Sequence, residues 1–163
     1  MKMRAWIGPL VALLLAACSQ DGPLVAAVDR YAAVVAATCA AFCRCPANLG
    51  FETSQACMRD PEVGVLDEAR KRCMVDALAQ DEEASIDYLE CMIPVERGLA
   101  RCMVESPDCA DMVYAMEYCV ARYAEDSEAC DSLPESIHAA FMACWSSRSR
   151  QDELLELASP MPN

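Results

Sequence analysis

The sequence predicts an all-α fold, a small bundle of about five helices stapled by disulfides. Apolar residues recur at helical spacing through most of the chain, and no segment alternates apolar and polar residues with period two. Only 5 of the 163 residues are Gly, few for a many-stranded protein built on tight turns. The 12 Cys are unusual for a reduced cytosolic protein and typical of a disulfide-bonded exported one.

The first seventeen residues are typical of a secretory leader. Lys2 and Arg4 give a positively charged start, and twelve apolar residues follow from Trp6 to Ala17. As a helix rising about 1.5 Å per residue, this run is far shorter than the ~30 Å hydrocarbon core of a membrane. It therefore predicts a signal peptide over residues 1–17 and not a permanent span.

The leader ends in Leu15-Ala16-Ala17-Cys18, which resembles the lipobox of bacterial lipoproteins. The resemblance implies that the Cys18 thiol receives a diacylglyceryl group, that a peptidase cuts before Cys18, and that the new amine is acylated. Two or three acyl chains anchor a protein durably to a membrane. The residue after Cys18 is Ser19. In lipoproteins of double-membraned bacteria, a residue other than Asp at this position permits export to the outer membrane, so the resemblance implies an outer-membrane location. An ordinary signal peptide, with Cys18 incidental, is the alternative.

The mature chain is divided into a short tether at 18–23, a helical cysteine-rich domain at 24–158 and a frayed tail at 159–163. Removing residues 1–17 leaves 146 residues and takes away Lys2 and Arg4, so that the net charge of −13 becomes −15. So acidic a domain repels phosphates and anionic headgroups. We expect no nucleic-acid partner, and a membrane contact through the acyl chains alone.

The first two helices have clear limits in the sequence. Apolar residues at helical spacing predict the first from Leu24 to beyond Phe42, with Pro46 ending it. The second is predicted to begin at 60–62, where Asp precedes Pro at the first helical position, and to end in the acidic run 80–83. Its predicted buried face consists of Leu66, Ala69, Cys73 and Ala77.

The later helices follow the same pattern. A third is predicted to begin after Ser85 and to run to about Val104, with Pro94 and Gly98 expected to bend it. The turn at 106–108 precedes a fourth, and the turn at 131–134 precedes a fifth; a weak last helix is predicted at 151–158. The fourth helix has an apolar stripe of Cys109, Met112, Val113, Met116, Cys119, Val120 and Tyr123, and the fifth has Ile137, Ala140, Phe141, Cys144 and Trp145.

Cysteine is the most informative residue type in the mature domain. After Cys18, eleven cysteines remain, an odd number for an oxidising compartment. Either one thiol is free, or one joins a second molecule, or Cys18 is not the lipid site. A bridge from Cys43 or Cys45 to Cys57 would close the loop after the first helix. The cysteines left without an assigned partner are Cys39, Cys73, Cys130 and Cys144.

Two further bridges are predicted across the hairpin of the third and fourth helices. Cys102 and Cys109 each lie 3.5 residues from position 105.5, while Cys91 and Cys119 lie 14.5 and 13.5 residues from it. Because both helices rise equally, the members of each pair come level, which predicts nested disulfides Cys102–Cys109 and Cys91–Cys119. The pattern resembles the twin C-x9-C motif of coiled-coil-helix-coiled-coil-helix proteins. It departs from that motif in having ten residues between the first two cysteines and Pro94 inside the helix.

Candidate chemistry is sparse in this sequence. The pair Cys43 and Cys45 could grip a metal, but disulfide use is favoured in an exported chain. Met112 and Met116 are soft copper ligands by type, yet they lie on the predicted buried stripe and indicate core packing. His138 has no companion for a triad or a zinc site. The acidic groups at 81–83 and 125–128 lack the spacing of a calcium loop.

These observations predict no catalytic residue, no cofactor and no metal site, and they favour a protein that is not an enzyme. We expect a lipid-anchored lipoprotein of the cell envelope with a structural or binding role and an envelope protein as its partner. The alternative is a lipoprotein that handles copper or zinc through Cys and Met ligands. Counting free thiols and measuring bound metal would separate the two hypotheses.

Overall fold

A computed structural model describes residues 22–60, 63, 65–105, 108–130 and 132–146, and within these ranges the chain is helical and contains no strand. Five helices of at least eleven residues and one of six confirm the predicted all-α, disulfide-stapled bundle. Two short 3-10 helices lie at Pro46–Leu49 and Ala79–Asp81. The helices are α1 Pro23–Phe42, α2 Ser54–Arg59, α3 Glu68–Leu78, α4 Glu82–Glu105, α5 Met112–Ser127 and α6 Glu135–Ser146.

The main core forms where α1 packs against α4, with α3 and α6 completing it. Phe141 of α6 lies at the centre, 2% exposed, and its ring contacts Tyr31 of α1 and Tyr88 of α4 at centroid distances of 6.3 and 6.2 Å. Among the described residues, α1 is the one helix long and apolar enough to cross a membrane. Since 56% of that apolar stretch is buried inside the bundle, its apolar residues also serve as core.

The beginning of α3 differs from the prediction. The helix begins at Glu68, and Asp67 is its N-cap, with the carboxylate accepting from the Arg70 backbone N–H at 2.8 Å. Asp60, the predicted cap, instead ends α2. Helix α2 is not among the predicted helices, although Thr53 caps it by accepting from the Ala56 N–H at 3.0 Å. The chain offers two Asp-based start signals, and the later one begins the helix.

The face of α3 and its junction with α4 also require correction. Ala69 is exposed and Arg70 is buried, so the buried face is turned by one residue from the predicted one. The third predicted helix starts at Glu82, not after Ser85, because a 3-10 turn joins α3 to α4 directly. Ser85 lies fully buried inside α4 and donates to the Leu78 carbonyl at 2.9 Å, which stabilises this corner.

A second, smaller core forms between α5, the C-terminal part of α4 and the C-terminal end of α1. Met112 and Cys119 of α5 are buried in it. Val120 was expected on the buried stripe but is 44% exposed. Cys109 precedes α5 in the turn at 108–111 and is exposed, so it does not belong to the helix as expected.

Several predictions lie outside the described residues. They are the signal peptide at 1–17, the lipobox with Cys18, the tether up to residue 21, the helix at 151–158 and the tail at 159–163. Within the described ranges, the predicted first helix at Leu24 and the fifth after 131–134 correspond to α1 and α6.

Candidate functional site

Five disulfides connect the bundle, and all eleven cysteines from 39 to 144 lie in the described ranges. Ten of them are bonded and Cys39 is free. The Cα–Cα distances are 5.5–5.8 Å, in the ordinary range for disulfides. One of the two alternatives for closing the loop after α1, Cys43–Cys57, is present. The five pairs are Cys43–Cys57, Cys45–Cys109, Cys73–Cys144, Cys91–Cys130 and Cys102–Cys119.

The structure corrects the nested pairing Cys102–Cys109 and Cys91–Cys119. Cys102 bonds Cys119 and Cys91 bonds Cys130, so each partner lies ten or eleven positions later than predicted. The two observed pairs share a midpoint at position 110.5 instead of 105.5, so the hairpin is centred five residues later than predicted. The turn causes this shift, because α4 ends at Glu105 and α5 begins only at Met112.

The free thiol of Cys39 is buried, at 7% exposure, on the α1 face that meets α4. Burial is the main cause that raises its pKa, the charge of Glu96 raises it further, and Arg70 opposes both. A thiol held protonated in the core is a poor nucleophile and a poor metal ligand. Among the described residues the odd cysteine is Cys39, and it is a buried free thiol.

A buried polar cluster centres on Glu96, which lies on the α4 face between α1 and α5 and is 7% exposed. The Tyr123 hydroxyl of α5 donates to Glu96 Oε1 at 3.0 Å, and the Thr38 hydroxyl of α1 lies 3.1 Å from Oε2. No residue in the described ranges forms an ion pair with this carboxyl. Glu96 therefore joins three helices through hydroxyl groups and not through opposite charge.

Burial raises the pKa of Glu96, while the hydrogen bonds from Tyr123 and Thr38 lower it. The pKa values of Tyr31, Tyr88 and Tyr123 are also raised, first by burial and then by the Glu96 charge. Burial thus disfavours the charged form of each member of the cluster, because a charge here would lack the solvation of water. A buried group of neutral hydroxyls and a thiol has the features of a structural centre and lacks an activated nucleophile.

The sequence contains a signal for Glu96, although the residue belongs to none of the candidate sites predicted from motifs. On α4, buried residues recur at helical spacing as Leu89, Met92, Ile93, Glu96, Leu99 and Met103. Glu96 is the one charged residue in this otherwise apolar series, and buried charged groups are rare unless they have partners. A search for a charge that interrupts an apolar helix face would have found it.

A surface groove of about 230 Å³ lies between α1 and α3. Its lining combines the valines Val25, Val28 and Val75 with charged residues. Lys71 bridges the two helices, with its ammonium 2.8 Å from Asp29 of α1. The volume is below the roughly 300 to 1,000 Å³ of drug-sized ligand pockets, so the groove suits a small group or a side chain of a partner. The remaining lining residues are Glu68, Arg72 and Asp76.

The other candidate residues from the sequence have structural roles in the described part of the chain. Cys43 and Cys45 are both in disulfides, while Met112 is buried in the smaller core. His138 is exposed on α6, and the acidic groups near 81–83 and 125–128 lie at helix ends. No cluster of three or more His, Cys, Asp or Glu able to hold a metal occurs among the residues described. The soft-metal alternative would have to do without the ten disulfide-bonded cysteines.

Comparison with known proteins gives no relative. The chain matches no family model, and neither the curated proteins nor the solved structures include a match. The geometry of the disulfides, the Glu96 cluster and the groove is therefore the basis for a functional proposal.

Proposed function

We propose that the protein is a lipid-anchored module of the bacterial cell envelope with a structural or binding role. The observation that carries the proposal is the bonding of ten of the eleven described cysteines in five disulfides. Disulfides persist in oxidising compartments and are rare in the cytosol. They support the export that the leader at 1–17 predicts, and the lipobox resemblance at Cys18 supplies the anchor.

The position of α1 supports a domain held close to its membrane. Helix α1 begins at Pro23, five residues after Cys18. Five residues span at most about 18 Å when fully extended, so the acyl chains would keep the bundle near the lipid surface. The net charge of −15 in the processed chain opposes further contact with anionic headgroups. The outer membrane remains the proposed location, because the residue that follows Cys18 is Ser19 and not Asp.

The groove between α1 and α3 supports the binding role. Val25, Val28 and Asp29, which line it, belong to the first two turns of α1 and thus to the end that follows the tether. On this proposal the groove lies at the membrane-proximal end of the domain. Its apolar floor and mixed charges suit a side chain of an envelope protein partner.

Metabolic labelling of the full chain with radioactive palmitate in a double-membraned bacterium tests the anchor. We expect label in the wild-type protein and in Cys39→Ala, because the Cys39 thiol is enclosed in the core. We expect no label in Cys18→Ala, which should leave the membrane fraction. Label that persists in Cys18→Ala, or that is missing from the wild type, would contradict the proposal.

A further inference from the structure

The Thr38 hydroxyl lies within hydrogen-bond distance of three acceptor oxygens but has only one proton to donate. Its Oγ1 atom lies 3.2 Å from the Val34 carbonyl oxygen, 3.3 Å from the Glu96 carbonyl oxygen and 3.1 Å from Glu96 Oε2. A hydroxyl carries one hydrogen and two acceptor lone pairs. If Glu96 is ionised, three acceptors compete for one proton at two side chains that are only 6% and 7% exposed.

A proton on Glu96 resolves this shortage. The Oε2–H group then donates to Thr38 Oγ1, which leaves the Thr38 proton free for one of the two backbone carbonyls. Tyr123 continues to donate to Oε1 at 3.0 Å. Both carboxyl oxygens and the Thr38 Oγ1 atom then have a suitable partner, and the buried site holds no net charge.

We propose that Glu96 carries a proton in the folded protein and forms a proton-dependent latch that fastens α5 and α1 to α4. The proposal rests on the geometry of the described residues and holds whether or not Cys18 is lipidated. Loss of the proton places an unpaired charge where the three helices meet. Helix α5 is the element expected to loosen, because it packs mainly against α4 and belongs to the smaller core.

The titratable groups around Glu96 supply no opposite charge that would compensate an ionised Glu96 carboxylate. Its titratable neighbours are themselves acids whose pKa values are raised, so they stay neutral at neutral pH. Arg70 of α3 acts on the cluster through Cys39, whose pKa it lowers. From α6, Phe141 contributes an apolar ring against Tyr31 and Tyr88. The titratable neighbours are Tyr31 and Cys39 of α1, Tyr88 of α4 and Tyr123 of α5.

The sign of the pH dependence follows from burial. Because the pKa of Glu96 is raised from its ordinary value of 4.5, the folded state keeps a proton that the unfolded chain has lost. Stability from this group is complete below pH 4.5 and decreases as the pH rises towards the folded pKa. Over that window the unfolding equilibrium constant increases by up to about tenfold per pH unit for one proton.

The test is denaturant unfolding, without reductant, of the wild type and of Glu96→Gln, which fixes a neutral side chain of the same shape. We expect the unfolding constant of the wild type, divided by that of Glu96→Gln, to rise with pH above the ordinary pKa of Glu. The rise should be up to about tenfold per pH unit. The control Asp87→Asn removes an exposed carboxyl from the same helix and should follow the wild type. Parallel profiles for wild type and Glu96→Gln would overturn the proposal.

A second measurement does not depend on the Gln variant folding. Carbon-13 NMR of the wild-type carboxyl groups should show one buried Glu titrating above 4.5, the ordinary value. In Tyr123→Phe this midpoint should move further up, since the lost hydroxyl is the donor that favours the charged form. If every Glu titrates at or below its ordinary pKa, or if the Tyr123→Phe midpoint moves down, the latch does not exist.

Discussion

At the scale of single residues, Phe141 holds the main core together. Its ring lies between Tyr31 of α1 and Tyr88 of α4, with Trp145 of the same helix stacked edge-on against Tyr31 at 6.4 Å. Only 6% of the chain is aromatic, so this cluster concentrates much of the aromatic packing at one point. A void there could not be filled by neighbours without moving α6.

We therefore expect Phe141→Ala to lower the free energy of unfolding by about 3 to 5 kcal/mol. The control is Met142→Ala on the next position, where the side chain is 47% exposed and the expected change is within about 0.5 kcal/mol. Denaturant unfolding under non-reducing conditions measures both variants. Equal losses in the two would show that α6 does not pack on the bundle through Phe141.

At the scale of elements, α5 depends on disulfides more than the other helices do. Its N-cap Asp111 makes no side-chain cap bond, and its last turn carries Glu125 and Asp126, which oppose the helix dipole. Three disulfides compensate by fastening the segment before, within and after the helix. They are Cys45–Cys109, Cys102–Cys119 and Cys91–Cys130.

Removing the central disulfide should therefore loosen α5 selectively. In the double variant Cys102→Ala and Cys119→Ala, a closed loop of 17 residues opens, which costs about 3 kcal/mol in the chain-entropy account. Hydrogen exchange should show lost amide protection in Met112–Ser127 and retained protection in α1. The matched variant Cys73→Ala and Cys144→Ala should expose α6 instead. Unchanged protection of α5 in the first variant would refute its dependence on that bond.

The sequence predicts the buried face of α6 correctly and those of α3 and α5 in part, but it does not predict at which level the helices meet. Ile137 and Phe141 were assigned correctly, because a helical period fixes a face. Cys102 bonds a different partner from the predicted one, because the helical period does not contain the length of the turn after Glu105. The burial of Glu96 has a sequence signal, a charge on an apolar helix face, but only tertiary packing brings its hydroxyl partners Thr38 and Tyr123 to it.

At the scale of the whole molecule, disulfides replace the large core that a chain with only 6% aromatic residues would otherwise need. Their sequence separations run from 14 to 71 residues, so they join helices that are distant along the chain. Cys73–Cys144 connects α3 to α6 across the main core, while Cys45–Cys109 connects the end of α1 to the start of α5. The two cores are thus held in one framework.

The most direct test of the disulfide-stapled bundle is peptide mapping of the purified full chain after alkylation, without reduction. We expect five linked pairs, including Cys102–Cys119 and Cys91–Cys130. Cys39 should resist alkylation in the folded protein and react once denaturant exposes it, while the disulfides stay intact. A Cys102–Cys109 peptide, a bonded Cys39 or several free thiols in the folded protein would contradict the account.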